Sequence, residues 1–228
     1  MRTIGLLGGM SWESSAEYYR IINSEVKRRL GGLHSAKVVL YSVDFAEIEH
    51  HQHREDWDAA AAILIDAAQR IERAGAESLV ICTNTMHRVA DALTAAIEIP
   101  LLHIADATAA RVKAAGLRKV GLLGTRFTME QDFYRGRLES KHGLEVMVPD
   151  AADRQLVHRV IYEELCLGQI RDDSREAYRT IVTKLIDTGS EGVILGCTEI
   201  GLLLKEASVP LFDTARIHAE DAVEWSLS

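Results

Sequence analysis

Apolar positions along the chain follow two alternating periods. Short apolar runs, typical of parallel strands covered on both faces, alternate with longer stretches in which apolar residues recur at i, i+3, i+4 and i+7, as on one face of a helix. The predicted strands are residues 3–7, 37–43, 79–82, 101–103, 120–123, 146–148, 193–195 and 211–212. Strands that alternate with helices indicate parallel sheets with right-handed crossovers. The pattern therefore predicts an α/β fold.

Polar residues and glycines mark the predicted ends of the helices. The sequence from Ser14 to Glu17 matches a capping box and predicts the start of the first long helix. Residues 83–85 supply cap-type side chains for a later helix. Apolar spacing also predicts a helix that follows Cys197 and continues to Ala207. Each of these helices directly follows a predicted strand.

The two halves of the chain resemble each other in three segments that occur in the same order. These segments are residues 5–8 with 121–124, 74–81 with 188–195, and 99–103 with 209–213. The repeat predicts two similar domains, each a parallel sheet flanked by helices, related by a pseudo-twofold axis with an active site between them. In this arrangement Thr83 corresponds to Cys197, and Asn84 corresponds to Thr198.

Composition and charge narrow the class of protein. The chain has 228 residues, of which 47% are hydrophobic and 26% charged, an ordinary balance for a globular protein with a sizeable core. The net charge of -8 argues against a nucleic-acid surface. Three cysteines in a chain of this size suit a reducing compartment, and no apolar run approaches the length of a membrane span. We therefore expect a cytoplasmic protein with no membrane or nucleic-acid partner.

Cys197 is the first candidate for chemistry. It follows the apolar run 193–195, at the point where the period changes from strand to helix. Open α/β sheets bind ligands at the carboxyl ends of their strands, and a helix N-terminus lowers the pKa of a thiol. Free cysteines are also among the most buried residues. This segment alone leaves a reactive thiol and a structural cysteine equally open.

Two groups on opposite sides of a substrate carbon can remove a proton from one face and deliver a proton to the other, which inverts the centre. A cysteine thiol suits this task because it can act as acid or base near neutral pH. The carbanion also needs donors aimed at the substrate carboxylate. Backbone N–H groups of residues 83–85 and 197–199 are candidates, with the hydroxyls of Thr85, Thr125 and Thr198. No cofactor-binding lysine motif is evident.

Three motifs resemble the aspartate/glutamate racemase family, specifically its enterobacterial L-aspartate/glutamate-specific, broad-specificity branch. They are Gly-Gly-Met-Ser-Trp-Glu-Ser at 8–14, Cys-Thr-Asn-Thr-Met-His at 82–87 and Gly-Cys-Thr-Glu-Ile-Gly at 196–201. The resemblance spans essentially the full chain. It implies a two-base racemase that uses no cofactor or metal, acts on glutamate or aspartate, and forms a homodimer. It also implies that the C-terminal helix packs on the first domain, which gives domains of 1–98 plus 209–228 and of 99–208.

The sequence departs from the family pattern at two places. Thr83 replaces the first cysteine of the usual Cys-Asn-Thr motif, and Cys82 lies one residue earlier. We expect Cys197 to act as the base on one enantiomer, while Thr83 or a water that it holds returns the proton. Aspartate racemases of the family carry basic residues near the loop of the second strand and near the Glu-Glu-Leu helix. In this chain those regions offer Gln52, with Arg54 close by, and Cys166. Their loss allows glutamate or a broader set of substrates.

The predicted site therefore has two catalytic residues, Thr83 and Cys197, and a set of substrate-binding residues. The binding set is Met10, Gln52, Asn84, Thr85, Thr125, Thr198 and Glu199. Glu199 either orients Cys197 or caps the following helix. Residues 50–53, rich in histidine, are interpreted as a substrate-covering loop rather than a metal site. The alternative functions are a racemase or isomerase of other substrates and a non-catalytic amino-acid-binding protein.

Overall fold

The computed structural model describes residues 1–228, and the chain divides into two compact units. Unit 1 comprises Met1–His103 and His218–Ser228, and unit 2 comprises Ile104–Ile217. None of the helices combines the length and the apolar character that crossing a membrane requires.

Unit 1 is built on a four-stranded parallel sheet in the order β2-β1-β3-β4. Its strands are β1 (Ile4–Gly8), β2 (Val38–Ser42), β3 (Ser78–Ile81) and β4 (Leu101–Leu102). Its helices are α1 (Trp12–Leu30), α2 (Phe45–His53), α3 (Trp57–Arg73) and α4 (Ala90–Ala96), with a 3-10 helix at Thr85–Val89. The central strands β1 and β3 are buried along their whole length, as expected for strands covered on both faces.

Unit 2 repeats this architecture with the strand order β6-β5-β7-β8, again all parallel. Its strands are β5 (Lys119–Gly124), β6 (Glu145–Met147), β7 (Gly192–Gly196) and β8 (Leu211–Asp213). Its helices are α5 (Ile104–Ala114), α6 (Arg126–Glu130), α7 (Arg135–Ser140), α8 (Ala151–Glu163), α9 (Asp172–Asp187) and α10 (Ile200–Leu203), with a 3-10 helix at Leu165–Leu167. Helix α11 (Thr214–Leu227) begins in unit 2, and its residues from His218 onward belong to unit 1.

The internal repeat found in the sequence corresponds to equivalent strands. The repeated segments form β1 and β5, β3 and β7, and β4 and β8, which occupy the same positions in the two sheet orders. The registers also agree, because Leu7 pairs with Ile81 in unit 1 and Leu123 pairs with Leu195 in unit 2. The prediction of two similar α/β domains, each a parallel sheet flanked by helices, is confirmed.

The borders of the units differ from the predicted domains 1–98 plus 209–228 and 99–208. Leu101 and Leu102 belong to unit 1 because β4 pairs with β3. The segment 209–217 belongs to unit 2 because β8 pairs with β7. In both units the fourth strand completes the sheet of its own repeat, so the chain leaves each unit only after that strand.

Two predicted helix ends differ from the structure. The cap of α1 is Ser11, whose hydroxyl accepts a hydrogen bond from the N–H of Ser14 at 3.3 Å. The helix predicted to run to Ala207 ends at Leu203, because the backbone of Leu204 is extended. Leu203 and Leu204 are both buried in the core of unit 2. Their apolar spacing therefore reflects core packing and not a continued helix.

Candidate functional site

Most of the predicted site residues lie at the carboxyl ends of the two central strands of each unit. In unit 1, Met10 follows β1 and residues 83–85 follow β3; in unit 2, Thr125 follows β5 and residues 197–199 follow β7. Because β1 pairs with β3 and β5 with β7 in parallel, each unit collects its candidates along a single sheet edge. This is where open α/β sheets bind ligands.

Cys197 lies in the turn that follows β7 and is partly buried. Its Sγ donates a hydrogen bond to Oε2 of Glu199 at 2.9 Å, and the hydroxyl of Thr198 donates to the same oxygen at 2.6 Å. Glu199 itself is buried and makes no side-chain capping bond to α10. Of the two predicted roles for Glu199, the structure favours orienting Cys197.

The electrostatic surroundings of Cys197 differ from the prediction. Burial raises the pKa of the Cys197 thiol well above its ordinary value, and the negative charge of Glu199 raises it further. Helix α10 has only four residues, so its dipole is small beside these two effects. The expected lowering of the thiol pKa by a helix end was wrong. Cys197 is therefore a protonated thiol that donates a hydrogen bond to the carboxylate of Glu199.

Thr83 lies in the equivalent turn of unit 1 and is partly buried. Its carbonyl oxygen accepts a hydrogen bond from Nδ1 of His87 at 2.8 Å, and the backbone N–H of His87 donates to the carbonyl of Asn84 at 3.1 Å. Asn84 and Thr85 are both buried, and Thr85 begins the 3-10 helix. The predicted cap-type residues thus open a 3-10 turn instead of the regular helix that was expected.

Cys82 does not replace Thr83 as an acid or base. The side chain of Cys82 is fully buried beside the core, and this burial raises the pKa of its thiol far above the ordinary value. Its backbone N–H donates to the carbonyl of Leu7, which extends the ladder between β3 and β1 by one residue. Cys82 is therefore a structural cysteine.

Gln52 lies in a helix and not in the loop that was predicted for it. Residues 50–53 belong to α2 and do not form a loop. The Gln52 side chain is buried, and its amide nitrogen donates to the sulfur of Met86 at 3.0 Å. Gln52 therefore lies against the 3-10 helix that follows Thr83. Cys166 is partly buried in the 3-10 helix Leu165–Leu167. A negative charge on Cys166 would raise the pKa of the Cys197 thiol.

The glycines before Met10 have a structural explanation. Gly9 has a φ of +94°, and a Cβ at this position would lie 2.2 Å from the carbonyl oxygen of Val43. Only glycine fits this left-handed turn. Met10 follows it and is buried. The turn thus brings the chain from β1 into α1 against the loop that follows β2.

Thr125 combines its predicted position with a capping role. It is buried at the end of β5, and its hydroxyl oxygen accepts a hydrogen bond from the N–H of Thr128 at 3.3 Å. Thr125 is thus the N-cap of α6. Ser11 does the same for α1 after β1, so both units place a capped helix after their first strand.

Comparison with known proteins agrees with this geometry. The chain is 59% identical to a protein of known crystal structure from Yersinia pestis, which is described provisionally as an Asp/Glu racemase. The TM-score is 0.94, and 100% of both chains is covered. It is 38% identical to an aspartate racemase homologue from Pyrococcus horikoshii, with a TM-score of 0.85 and 100% of both chains covered. The broad-specificity amino-acid racemase RacX of Bacillus subtilis is 22% identical over 99% of this chain and 98% of its own length.

These matches define a two-unit α/β protein of the racemase class. The Asp/Glu/hydantoin racemase family model matches residues 7–222, and the chain belongs to this family. The protein is therefore an amino acid racemase, an isomerase of the type that works without pyridoxal phosphate.

One part of the site was missed by sequence reasoning. The sequence pattern indicated no role for His87, but the residue is buried and donates a hydrogen bond from Nδ1 to the Thr83 carbonyl. The two residues are four positions apart, a spacing at which a side chain can reach back to a carbonyl in a helical turn. His103 and His218, which pack near His87, gave no sequence signal because they lie far along the chain.

Proposed function

We propose that the protein interconverts the L and D forms of glutamate and aspartate by moving the α-proton between Cys197 and Thr83. The observation that carries the proposal is the Cys197 thiol, hydrogen-bonded to Glu199 at the carboxyl end of β7, in a turn equivalent by repeat to that of Thr83. In the proposed reaction these two residues serve opposite faces of the substrate α-carbon.

The proposed proton path begins at the thiol. Glu199 takes the proton of Cys197, and the resulting thiolate removes the α-proton from one enantiomer. The electron pair left on the α-carbon is delocalised into the substrate carboxylate, which N–H donors of the strand-end turns stabilise. The hydroxyl of Thr83, or a water that it holds, delivers a proton to the other face and regains one from solvent, while Glu199 releases its proton to solvent. Because a hydroxyl is a far weaker acid than a thiol, we expect the two directions to differ in rate at saturating substrate.

The substrate class is proposed from the relatives. The Pyrococcus horikoshii neighbour is described as an aspartate racemase homologue, and the Bacillus subtilis relative as a broad-specificity racemase. In this chain Gln52 is bonded to Met86 and is neutral, as is Cys166 in its thiol form. The absence of fixed positive charge at both positions favours a tolerant distal pocket, with glutamate accepted beside aspartate.

Solvent exchange tests the reaction. The purified protein is incubated in D2O with each enantiomer of glutamate and aspartate, without pyridoxal phosphate or metal. Proton NMR follows loss of the α-proton, and chiral chromatography follows the antipode. We expect exchange with inversion in the wild-type protein and loss of both in the Cys197→Ser variant. Unchanged turnover in Cys197→Ser would overturn the assignment of the base.

A second variant tests the other face. Thr83→Cys restores a thiol at the position where the family usually has one, and we expect it to accelerate the slower direction. Cys82→Ser is the matched control, because this neighbouring thiol is fully buried and should leave the ratio of the two directions unchanged. An unaltered ratio in Thr83→Cys would show that another group delivers the second proton.

A further inference from the structure

A buried cluster of three histidines and a tyrosine lies next to the Thr83 turn in unit 1. The ring centroids of His87 and His103 are 4.5 Å apart, and those of His87 and His218 are 5.7 Å apart. Tyr18 and His218 are both fully buried. These side chains come from α1, the 3-10 helix after Thr83, the end of β4 and α11. Nothing in the proposed proton path uses them.

The hydrogen bonds of the cluster determine where its protons lie. A carbonyl oxygen can only accept, so Nδ1 of His87 carries a proton and donates it to Thr83. By the same argument Nε2 of His218 carries a proton and donates it to Leu102 at 2.8 Å. Burial lowers the pKa of His218 to about 4, so its imidazole is neutral and Nδ1 accepts from the hydroxyl of Tyr18 at 2.9 Å. The hydrogen bonds thus place a proton on Nδ1 of His87 and on Nε2 of His218.

A metal site does not explain the cluster. Both ring nitrogens of His218 and Nδ1 of His87 are engaged in hydrogen bonds to protein groups. No group of three potential ligands in the chain has an arrangement that could hold a metal ion. The hydrogen bonds that leave the cluster go to two backbone carbonyls, those of Thr83 and Leu102.

We propose that His87 is a positioning residue that fixes the Thr83 turn for proton delivery, through the hydrogen bond from its Nδ1 to the Thr83 carbonyl. This inference rests on the proposed function. Thr83 follows the last residue of β3 by two positions, and its carbonyl lies beyond the sheet ladder. The bond to His87 restrains this peptide, and the neighbouring rings of His103 and His218 restrain His87. A displacement of about 1 Å at a reacting group can reduce a rate about 100-fold.

The predicted consequence is specific to one face of the substrate. Removal of the His87 donor loosens the Thr83 turn, whereas Cys197 keeps its own bond to Glu199 within unit 2. Deuterium exchange by Cys197 should therefore persist while inversion falls. For His87→Ala we expect the ratio of inversion to exchange to fall about 10- to 100-fold. His87→Asn should restore most of this ratio, because the side-chain amide nitrogen of asparagine can occupy the position of Nδ1.

The experiment measures exchange and inversion for wild type, His87→Ala, His87→Asn and His218→Asn, with thermal unfolding as a check on folding. His218→Asn is the matched control, because it removes one ring that packs on His87 but keeps the bond to Thr83, and we expect its ratio to fall much less than that of His87→Ala. Long-range ¹⁵N–¹H spectra give an independent readout, in which His87 should show the Nδ1–H tautomer. The ¹³C shift of the Thr83 carbonyl should change in His87→Ala and return towards wild type in His87→Asn.

The outcomes separate the two proposals. A wild-type protein without exchange on any of the four substrates would refute the proposed function, while the tautomer still tests the hydrogen bond. An active wild type with an unchanged ratio in His87→Ala would overturn the positioning role alone. The positioning role would also be overturned if a folded His87→Asn protein failed to recover inversion, or if the ratio in His218→Asn fell as far as in His87→Ala. An Nε2–H tautomer at His87 would overturn it as well.

Discussion

At the scale of single residues, the chemistry of the site depends on how Cys197 and Glu199 share a proton. The carboxylate accepts the hydrogen bond of the thiol and also opposes its ionisation. These two effects act in opposite directions on reactivity. A neighbouring negative charge makes the thiolate rarer at rest, but the same group provides the acceptor that the proton needs when substrate arrives.

Replacement of Glu199 by glutamine separates these effects. Without the negative charge, the pKa of Cys197 should fall relative to wild type, so that iodoacetamide modifies it with a midpoint at lower pH. Racemisation should nevertheless slow by about 10²-fold or more, because the proton acceptor is lost. Mass spectrometry of the modified peptide distinguishes Cys197 from Cys166, the other partly buried thiol.

Thr198→Val is the matched control for this experiment. It removes the second hydrogen bond to the same Oε2 atom but keeps the charge of Glu199. We therefore expect the midpoint of Cys197 alkylation to stay nearer to that of wild type than in Glu199→Gln. A Glu199→Gln protein with wild-type turnover would show that Glu199 does not accept the thiol proton.

At the scale of secondary structure, the helix caps hold the strand-end turns in place. Thr125→Ala removes the hydroxyl that caps α6, and a lost cap costs about 1 kcal/mol of unfolding free energy. Thr125→Ser keeps an acceptor at the same position and should cost less. Urea denaturation measures both values. If Thr125 also binds substrate, KM should rise in Thr125→Ala while Thr125→Ser remains close to wild type.

Helix α11 makes the stability of unit 1 depend on pH. The pKa of His218 is lowered from 6.5 to about 4 because the folded protein buries the imidazole. Between these two values the unfolded chain binds a proton that the folded protein excludes, so unfolding free energy falls as the pH decreases. The full effect is about 3 kcal/mol, lost between pH 6.5 and 4.

The dependence on His218 can be isolated with two variants. His218→Asn should be less stable at pH 7 but should lose less additional stability on acidification than wild type does. Tyr18→Phe removes the hydrogen bond to Nδ1 and leaves the imidazole buried, so it should keep the acid dependence. Denaturation midpoints at several pH values provide the measurement. Parallel curves for wild type and His218→Asn would contradict the assignment.

At the scale of the whole molecule, the repeat made the fold predictable. Ordered glycines and strand patterns in the two halves correspond to the same strand positions in two sheets. The places of Cys197, Thr83 and Thr125 at strand ends followed directly. The raised pKa of Cys197 was not predictable, because it depends on burial and on the side-chain direction of Glu199. The hydrogen bond between Tyr18 and His218 was also not predictable, because it joins residues that are 200 positions apart in the sequence.

The exposed side of α1 is a candidate surface for the predicted homodimer. Trp12, Tyr19 and Leu30 are 67%, 51% and 44% exposed. At 100° per residue these positions lie within about 20° of one another around the helix axis. They therefore form an exposed apolar stripe along one side of α1, beside its buried face. Such stripes on a surface commonly mark interfaces between proteins, and we propose that a second copy of the chain covers this one.

Light scattering tests the dimer directly. We expect a mass twice that of the 25.3 kDa chain, and a shift towards the single-chain mass in Tyr19→Glu, which places a charge in the middle of the stripe. Lys113→Glu, at an exposed position of α5, is the control, because it adds a carboxylate outside this stripe and should leave the mass unchanged. A wild-type mass of one chain at micromolar concentration would refute the homodimer. A Tyr19→Glu dimer as tight as wild type would place the interface elsewhere.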